Sequence, residues 1–384
     1  MGFQYYFQSS LCDWSHMVSS FQRFTKDRKM NTTVNVSLEC IRDPRVTSVI
    51  FPVLYSILCV VALVLNSLAA WIFFRIPSTT TFLVFLKNVV VADLLMSLTI
   101  PIKILSDAGV GSLQLRAFHC RFSAVLFYIT MYISILLLGL ISLDRFLKIV
   151  RPFGKCVPQK VRVGQRLSAA VWIVMLSLAL PNVILSNQPP KTSGGKLKCS
   201  SMKGEVGKLW HAGFNYFCQV IFWCTFALMV FCYTFISKKV YESYKASKSK
   251  SHAANRRTKA KVFVVVGVFF VCFAPFHSVI VPYMLTQTRR LKLADCRAES
   301  ALYIAKETTL WLSATNVCLD PLIYVFLCKV FRKRLMTMIC KDPKESSKSS
   351  LTHMEMSPVD HTTRLSLNDT SHINQCTSAS SFDC

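Results

Sequence analysis

The sequence predicts an all-α membrane protein, a bundle of seven transmembrane helices followed by a short amphipathic eighth helix. Three observations predict it: 52% of the 384 residues are apolar, only 17% are charged, and the apolar residues are gathered into blocks. A helix needs ~20 apolar residues to cross a hydrocarbon core of ~30 Å. Seven such blocks in succession, flanked by Lys or Arg, exclude a soluble protein with a few buried helices.

Five of the blocks contain no Asp, Glu, Lys or Arg: 46–74, 122–143, 167–190, 209–237 and 262–288. Two further blocks, 88–102 and 308–328, are interrupted only by Asp93 and Asp320. The first of these is short, but it extends over about 81–104 if the lysines at its two ends reach the interfaces with their long side chains. Each block is therefore predicted as one membrane span.

The charge distribution predicts the orientation. The chain has 45 Lys and Arg against 19 Asp and Glu, a net charge of +26. Bases are dense after spans three, five and seven, which the positive-inside rule assigns to the cytosol. Sequons at Asn31 and Asn35 agree, because glycosylation takes place on the lumenal side. We therefore expect a multi-pass plasma-membrane protein with an extracellular N-terminus, which starts at Met1 or at Met30, and a cytoplasmic C-terminus.

Four segments follow from this reading. Residues 1–45 form the extracellular N-terminal segment, and residues 46–328 form the bundle. Residues 329–340 alternate bases with apolar side chains, as in a helix that lies on anionic membrane lipid, and Cys340 is either a palmitoylation site or a structural cysteine. Residues 341–384 are polar and rich in Ser and Thr, which is typical of a disordered cytoplasmic tail that kinases modify. Nucleic acid is not an expected partner, because such binders carry their bases on domains of average apolarity.

Four cysteines fall close to the outer surface of the predicted bundle, Cys40, Cys120, Cys199 and Cys296, and Cys12 is left over on the same side. An oxidising compartment can bridge them, and four cysteines allow three pairings. The topology favours Cys120–Cys199, which pins the loop between spans four and five over the bundle. The remaining pair, Cys40–Cys296, then ties the N-terminal segment to span seven.

Polar residues inside the spans predict an internal site. Asp93 lies at mid-membrane depth, where a charge is costly unless it faces polar partners. Ser134, Asn316 and Asp320, together with Asn66 of span one, are the candidates. Such a set suits a sodium ion or a shared proton, and a purely structural polar cluster is the alternative. Apart from this allosteric ion, no cofactor is expected.

Several motifs occur in a characteristic order, each on the appropriate span: Asn66, Asp93, Cys120, Asp144-Arg145-Phe146, Trp172, Cys272-Phe273-Ala274-Pro275 and Asp320-Pro321-Leu322-Ile323-Tyr324. In this order the chain resembles a rhodopsin-like (class A) G-protein-coupled receptor over roughly residues 46–340. The resemblance implies a switch at the cytosolic side, formed by Asp144, Arg145, Phe146, Tyr233 and Tyr324. Phe146, Phe273 and Asp320 depart from the commonest residues of that family, as they do in some of its subfamilies.

Longer segments narrow the match. Residues 85–108, 115–134, 272–277 and 305–324 are similar to the metabotropic purinergic nucleotide receptors, nearest to the Gi-coupled subgroup that answers to ADP or UDP-sugars. The stretch 261–277 favours an ADP-responding member. The resemblance implies an extracellular nucleotide ligand, a Gi-class G protein, and arrestin and receptor kinases at the tail. No enzyme activity is expected, since no metal-spaced cluster, phosphate-binding loop or nucleophile elbow is present in the sequence.

The resemblance also implies a ligand site. Lys306 and His277 would hold phosphates, and Lys198 and Lys203 would close over the ligand. Five further residues would line the pocket, with the first stacking on the base: Tyr128, Tyr132, Asn182, His211 and Asn215. An excess of bases on the outer side agrees, because a basic vestibule attracts anions.

One residue departs from the family at this site. Three residues after His277 the family has an arginine that binds phosphate, and here the residue is Ile280. Losing a charge-assisted hydrogen bond costs roughly 1.5–3 kcal/mol. A UDP-sugar or an anionic lipid is therefore the alternative ligand within the same fold. A seven-span transporter is a remote alternative, since the sequence shows neither internal repeats nor paired charges along a path.

Overall fold

The computed structural model describes residues 45–150, 161–190, 192–193, 196–197, 199–246, 252–287 and 296–339. Within these residues seven helices are long and apolar enough to cross a membrane, and an eighth follows them. The predicted fold class is thereby confirmed. The sequons at Asn31 and Asn35, the cysteines Cys40 and Cys340 and the predicted clamp Lys198 lie outside the described residues, as do the tail and nearly all of the N-terminal segment.

The eight helices are α1 (Val46–Phe74), α2 (Thr81–Asp107), α3 (Leu113–Val150), α4 (Val161–Ile184), α5 (Glu205–Ala246), α6 (His252–Gln287), α7 (Cys296–Ala314 and Asn316–Leu327) and α8 (Lys329–Ile339). The first turn of α1 and the segment His119–Ser123 of α3 are π-helical. The loop between α4 and α5 contains a small antiparallel hairpin, β1 (Thr192–Ser193) with β2 (Lys196–Leu197), and a 3₁₀ turn over Cys199–Met202.

Helix α7 differs from its prediction. It begins at Cys296, well before the predicted position 308, and its first turns carry Arg297, Glu299, Lys306 and Glu307. A window without charged residues marks only the part of a helix that lies in the lipid. The helix itself continues beyond the membrane, because its backbone hydrogen bonds do not depend on apolar side chains. The same reason explains why α5 and α6 are longer than their apolar windows.

Helices α6 and α7 are joined at their irregular points. Pro275 lies inside α6, and α7 is interrupted at Thr315. Ser313 Oγ donates to the carbonyl oxygen of Cys272 at 3.0 Å, and the thiol of Cys272 is 3.8 Å from Thr315 Oγ1. Because a proline removes one helical hydrogen bond, side-chain bonds of this kind hold the kinked segments together.

The core continues into α8 through aromatic rings. Phe73 at the end of α1 lies 5.3 Å from the ring of Tyr324 and 4.8 Å from that of Phe331, measured between centroids. All three rings are buried. Phe331 is thus the apolar residue by which α8 is seated on the bundle.

One predicted disulfide is confirmed. Cys120 is bonded to Cys199, with the two Cα atoms 5.2 Å apart, so the loop between α4 and α5 is attached to the start of α3. We call this end of the bundle the disulfide end. Cys296 also takes part in a disulfide, but its pairing with Cys40 stays a prediction.

Candidate functional site

A cavity of about 1370 Å³ lies at the disulfide end, lined by residues of α1 to α7 and of the loop that holds Cys199. Pockets for small molecules are usually about 300–1,000 Å³, so this space accepts a ligand with several groups. The cavity is lined by seven residues of the predicted ligand set: Tyr128, Tyr132, Asn182, Lys203, His211, Asn215 and Lys306.

His277 is placed differently. It is 1% exposed and lies behind Tyr132, not on the described cavity wall. Its Nδ1 is 2.8 Å from the carbonyl oxygen of Phe273 and must donate to it, so its Nε2 accepts from the hydroxyl of Tyr132 at 3.1 Å. Its ring also stacks on Phe222 at 3.8 Å. In this structure His277 orients Tyr132, and the expectation that it holds phosphate has no geometric support.

Asn182 organises one side of the cavity. Its Oδ1 accepts from Lys203 Nζ at 3.3 Å and from His211 Nδ1 at 3.2 Å. Two N–H donors on one amide oxygen fix the amide orientation, so that its NH₂ group can serve a ligand. Burial lowers the pKa of Lys203 to about 8, because the charged amine loses hydration.

A group of four charged residues forms the opposite side. Lys306 Nζ is 2.7 Å from Glu307 Oε1, and Lys103 Nζ is 3.6 Å from Glu307 Oε2 and 2.8 Å from Asp107 Oδ2. We call Lys103, Asp107, Lys306 and Glu307 the charge cluster. Its two cations and two carboxylates are mostly buried, and all four residues line the cavity. Glu307 therefore holds two lysines from different helices beside each other.

The charge cluster contains contacts that sequence reasoning missed. The sequence predicts Lys103, at the end of span two, as an interfacial lysine and as one base of the outer vestibule, whereas the structure buries it in the bundle, on the cavity wall. A usable signal was its spacing of four residues from Asp107, since residues at i and i+4 share one face of a helix. The contact with Glu307 joins α2 to α7 and has no such local signal.

Ile280 lines the cavity from α6, as the resemblance placed it. Its side chain is partly buried and offers only carbon atoms. One turn further along, the ring of Tyr283 lies 5.5 Å from Lys306 Nζ. The wall of α6 is therefore apolar and aromatic where the family has a cation.

The polar core lies below the cavity. Asp93 accepts from Ser134 Oγ at 3.2 Å and from the hydroxyl of Tyr324 at 3.3 Å. Asn316 Nδ2 donates to Asp320 Oδ2 at 2.7 Å, and Asn66 Nδ2 donates to the carbonyl oxygen of Val317 at 2.7 Å.

Two buried amide oxygens of this core have no hydrogen-bond partner among the described residues, the Oδ1 atoms of Asn66 and Asn316. The carboxyl groups of Asp93 and Asp320 lie within hydrogen-bond reach of each other, so they can share a proton. Buried acceptors are normally satisfied, and unsatisfied ones point to an ion or a water. Carboxylate and amide oxygens are suitable ligands for a hard cation, so these residues fit a sodium ion.

The end of the bundle opposite the cavity is held by ion pairs. Arg145 Nη2 is 3.0 Å from Asp144 Oδ2, and Lys148 Nζ is 2.9 Å from the same oxygen. The guanidinium of Arg145 also lies 4.0 Å over the ring of Phe82. Arg145 is thus paired within α3 and packs on Phe82 of α2.

Two further residues of the predicted switch, Phe146 and Tyr233, lie close to this end as well. Phe146 packs on two rings of α5, those of Phe231 and Phe235. Tyr233 is buried on the same helix. The structure therefore places four switch residues on α3 and α5, whereas the fifth, Tyr324, lies on α7 and donates to Asp93 in the polar core.

The bundle has a ligand-sized cavity at one end, a paired arginine at the other end and a polar core between them. This arrangement is that of a seven-span receptor. The profile described as "7 transmembrane receptor (rhodopsin family)" matches residues 65–324. Purinoceptor 13 of Homo sapiens is 50% identical over 325 residues, which are 84% of this chain and 91% of that protein. Purinoceptor 14 of Bos taurus is 42% identical over 79% of this chain and 88% of its own. G-protein coupled receptor 87 of Mus musculus is 43% identical over 75% of this chain and 79% of its own.

The chain belongs to the rhodopsin family of seven-transmembrane receptors, and within it to the metabotropic purinoceptors. It is a multi-pass protein of the plasma membrane and a receptor, not an enzyme.

Proposed function

We propose that this receptor binds extracellular ADP in the cavity and signals through a Gi-class G protein to lower cyclic AMP. The disulfide end faces outward in this proposal, and the C-terminal tail is cytoplasmic. The observation that carries it is the pair of buried lysines, Lys103 and Lys306, on the cavity wall opposite Asn182. Relatives that bear the name purinoceptor support a nucleotide as the ligand class.

The cavity offers each part of a nucleotide a chemical partner. Phosphate oxygens form charge-assisted hydrogen bonds with lysine amines, and Lys306, Lys103 and Lys203 all line the space. Tyr128, whose ring lies nearly parallel to Phe276 with a centroid distance of 6.3 Å, gives an aromatic face for the base. The amides of Asn182 and Asn215 can hydrogen-bond the edge of the base.

A ligand shifts a conformational equilibrium only through its differential affinity for the two states. The nucleotide would therefore favour the active conformation because it makes stronger contacts with the receptor in that conformation. A ligand held by both α6 and α7 draws the outer part of α6 inward above Pro275. The inner part then moves outward, Arg145 leaves Asp144, and the G protein enters the cleft. Receptor kinases and arrestin would act afterwards on the hydroxyl-rich tail.

The test is a panel of ADP, UDP-glucose and an anionic lysophospholipid, read by inhibition of cyclic AMP in cells that express the receptor. We expect ADP to act at the lowest concentration. The apolar wall at Ile280 is the observation that favours the other two ligands, so a stronger response to either one overturns the assignment of ADP. A response that pertussis toxin leaves intact would contradict coupling to Gi.

A sodium ion in the polar core predicts that agonist affinity falls as sodium concentration rises. The ion stabilises the compact arrangement of Asp93, Asn316 and Asp320, which competes with the active form. Potassium at equal ionic strength is the control for screening. Asp93→Asn should remove the dependence on sodium, and indifference of the unchanged receptor to sodium would leave the structural polar cluster as the better interpretation.

Lys203 predicts a pH dependence of binding. Its pKa is lowered to about 8, so the amine is about four-fifths charged at pH 7.4 and about one-tenth charged at pH 9. Because phosphate binds the charged form, ADP affinity should fall by up to about eightfold over this interval. Lys203→Arg keeps its charge and should flatten the profile, and a parallel fall in both proteins would exclude Lys203 as the titrating group.

A further inference from the structure

Among the residues that the structure describes, four lysines line the cavity: Lys103, Lys203, Lys208 and Lys306. Three of them are paired with carboxylates, since Lys103 and Lys306 belong to the charge cluster and Lys208 Nζ is 2.9 Å from Glu205 Oε1. Among the described residues, no carboxylate lies within ion-pair distance of Lys203. Its one hydrogen bond there goes to a neutral amide oxygen, that of Asn182.

Lys203 is also held in place and shielded. The residue is 8% exposed and follows directly after the 3₁₀ turn that begins at the disulfide-bonded Cys199. The backbone of this segment is fixed further by the bond from Gln188 N to the carbonyl oxygen of Met202 at 3.0 Å. A buried amine without a counter-charge is poor at staying protonated, and a neutral amine is a nucleophile.

From this geometry we propose that Lys203 is a carbonyl-reactive amine, which forms a reversible imine with aldehydes that carry a phosphate group. The phosphate group can form charge-assisted hydrogen bonds with the other lysines of the cavity, and the aldehyde carbon then meets an amine oriented by Asn182. This reactivity is separate from the receptor's response to nucleotides and does not depend on it.

The chemical step balances without a further reactant. The lone pair of the neutral Nζ forms a bond to the carbonyl carbon, and a proton passes from nitrogen to oxygen to give a carbinolamine. Loss of the hydroxyl group with a second nitrogen-bound proton, as water, leaves the C=N bond.

The reactive fraction is large for a lysine. A pKa of about 8 leaves about one-fifth of Lys203 neutral at pH 7.4, against about one-thousandth for an ordinary lysine. A more acidic amine is intrinsically a weaker nucleophile, which offsets part of this advantage. We therefore expect Lys203 to react at least about tenfold faster than Lys208, whose side chain is 50% exposed.

The experiment uses the full-length receptor in membranes with pyridoxal 5′-phosphate as the probe. Borohydride reduces the imine to a stable secondary amine, and peptide mass spectrometry maps the modified lysines at increasing probe concentration. We expect saturable labelling of Lys203 before any other described lysine, and weak labelling by pyridoxal, which lacks the phosphate. If the lysines are labelled in the order of their solvent exposure, with Lys208 before Lys203, the proposal is overturned.

Two variants sharpen the result. Lys203→Arg should lose the labelled peptide, while the matched control Lys208→Arg should keep it at an unchanged rate. The map obtained on the unchanged receptor decides the matter even where a variant fails to reach the surface. Excess ADP should protect Lys203. If Lys203 is labelled equally with and without ADP, the proposal of a reactive amine still holds. The same result is evidence against ADP as a ligand of this cavity.

Discussion

Lys306→Ala is expected to abolish the response to ADP in cells that couple to Gi. The substitution removes one charge-assisted contact to phosphate, worth about 1.5–3 kcal/mol or one to two decades of affinity. It also leaves Glu307 with Lys103 as its only partner in the charge cluster. In the unchanged receptor the charges of the cluster sum to zero, whereas in the variant the cluster is negative and repels an anion. The loss of ADP affinity should therefore exceed that of a single hydrogen bond.

Lys208→Ala is the matched control, because Lys208 lines the same cavity but is half-exposed and paired with Glu205. Its response should stay near that of the unchanged receptor. Surface expression is measured for both variants with an antibody against an N-terminal tag. A normally expressed Lys306→Ala receptor with an unaltered ADP response would remove this lysine from the site.

Ile280→Arg is expected to increase the potency of ADP roughly tenfold or more. Ile280 lines the cavity and is only partly buried, so a longer side chain can extend into open space without overpacking. The new guanidinium would restore the cation that the family has at this position. It would lie on α6, the helix that has to move during activation.

Ile280→Leu controls for the change of shape, because it keeps the side chain apolar and of similar volume. Its potency should remain within about threefold of the unchanged receptor, since such swaps usually cost little. A decrease in the potency of ADP with Ile280→Arg would mean that the phosphates lie away from α6. The response to UDP-glucose should be followed in parallel, since a gain confined to the sugar nucleotide would indicate that ligand instead.

The spans could be predicted from the sequence because exclusion of charge from lipid is a strong and local constraint. The ends of α5, α6 and α7 could not, since helices continue beyond the membrane with charged residues that the charge-free windows leave out. Similarly, the motifs around Asp93, Arg145 and Asp320 marked the polar core and the switch. Their hydrogen bonds depend on helix rotation, which no single-sequence pattern specifies.

The ligand site shows the same division. Most of the ligand residues carried over by resemblance lie on the cavity wall, among them Tyr128 and Lys306. The resemblance failed to place His277, because the position of a residue on its helix does not tell whether a neighbouring ring covers it. The pairing of Lys103 with Glu307 was also hidden, since it joins two helices that are far apart in the sequence.

Tyr324 has two sets of neighbours that connect distant parts of the receptor. Its hydroxyl donates to Asp93 in the polar core, and its ring lies against Phe73 and Phe331. Rotation of this side chain away from Asp93 would remove part of the surface on which α8 rests. The tilt of α8 on the membrane would then depend on the state of the polar core, and a fluorescent label on α8 would follow the binding of the proposed sodium ion if that binding turns Tyr324.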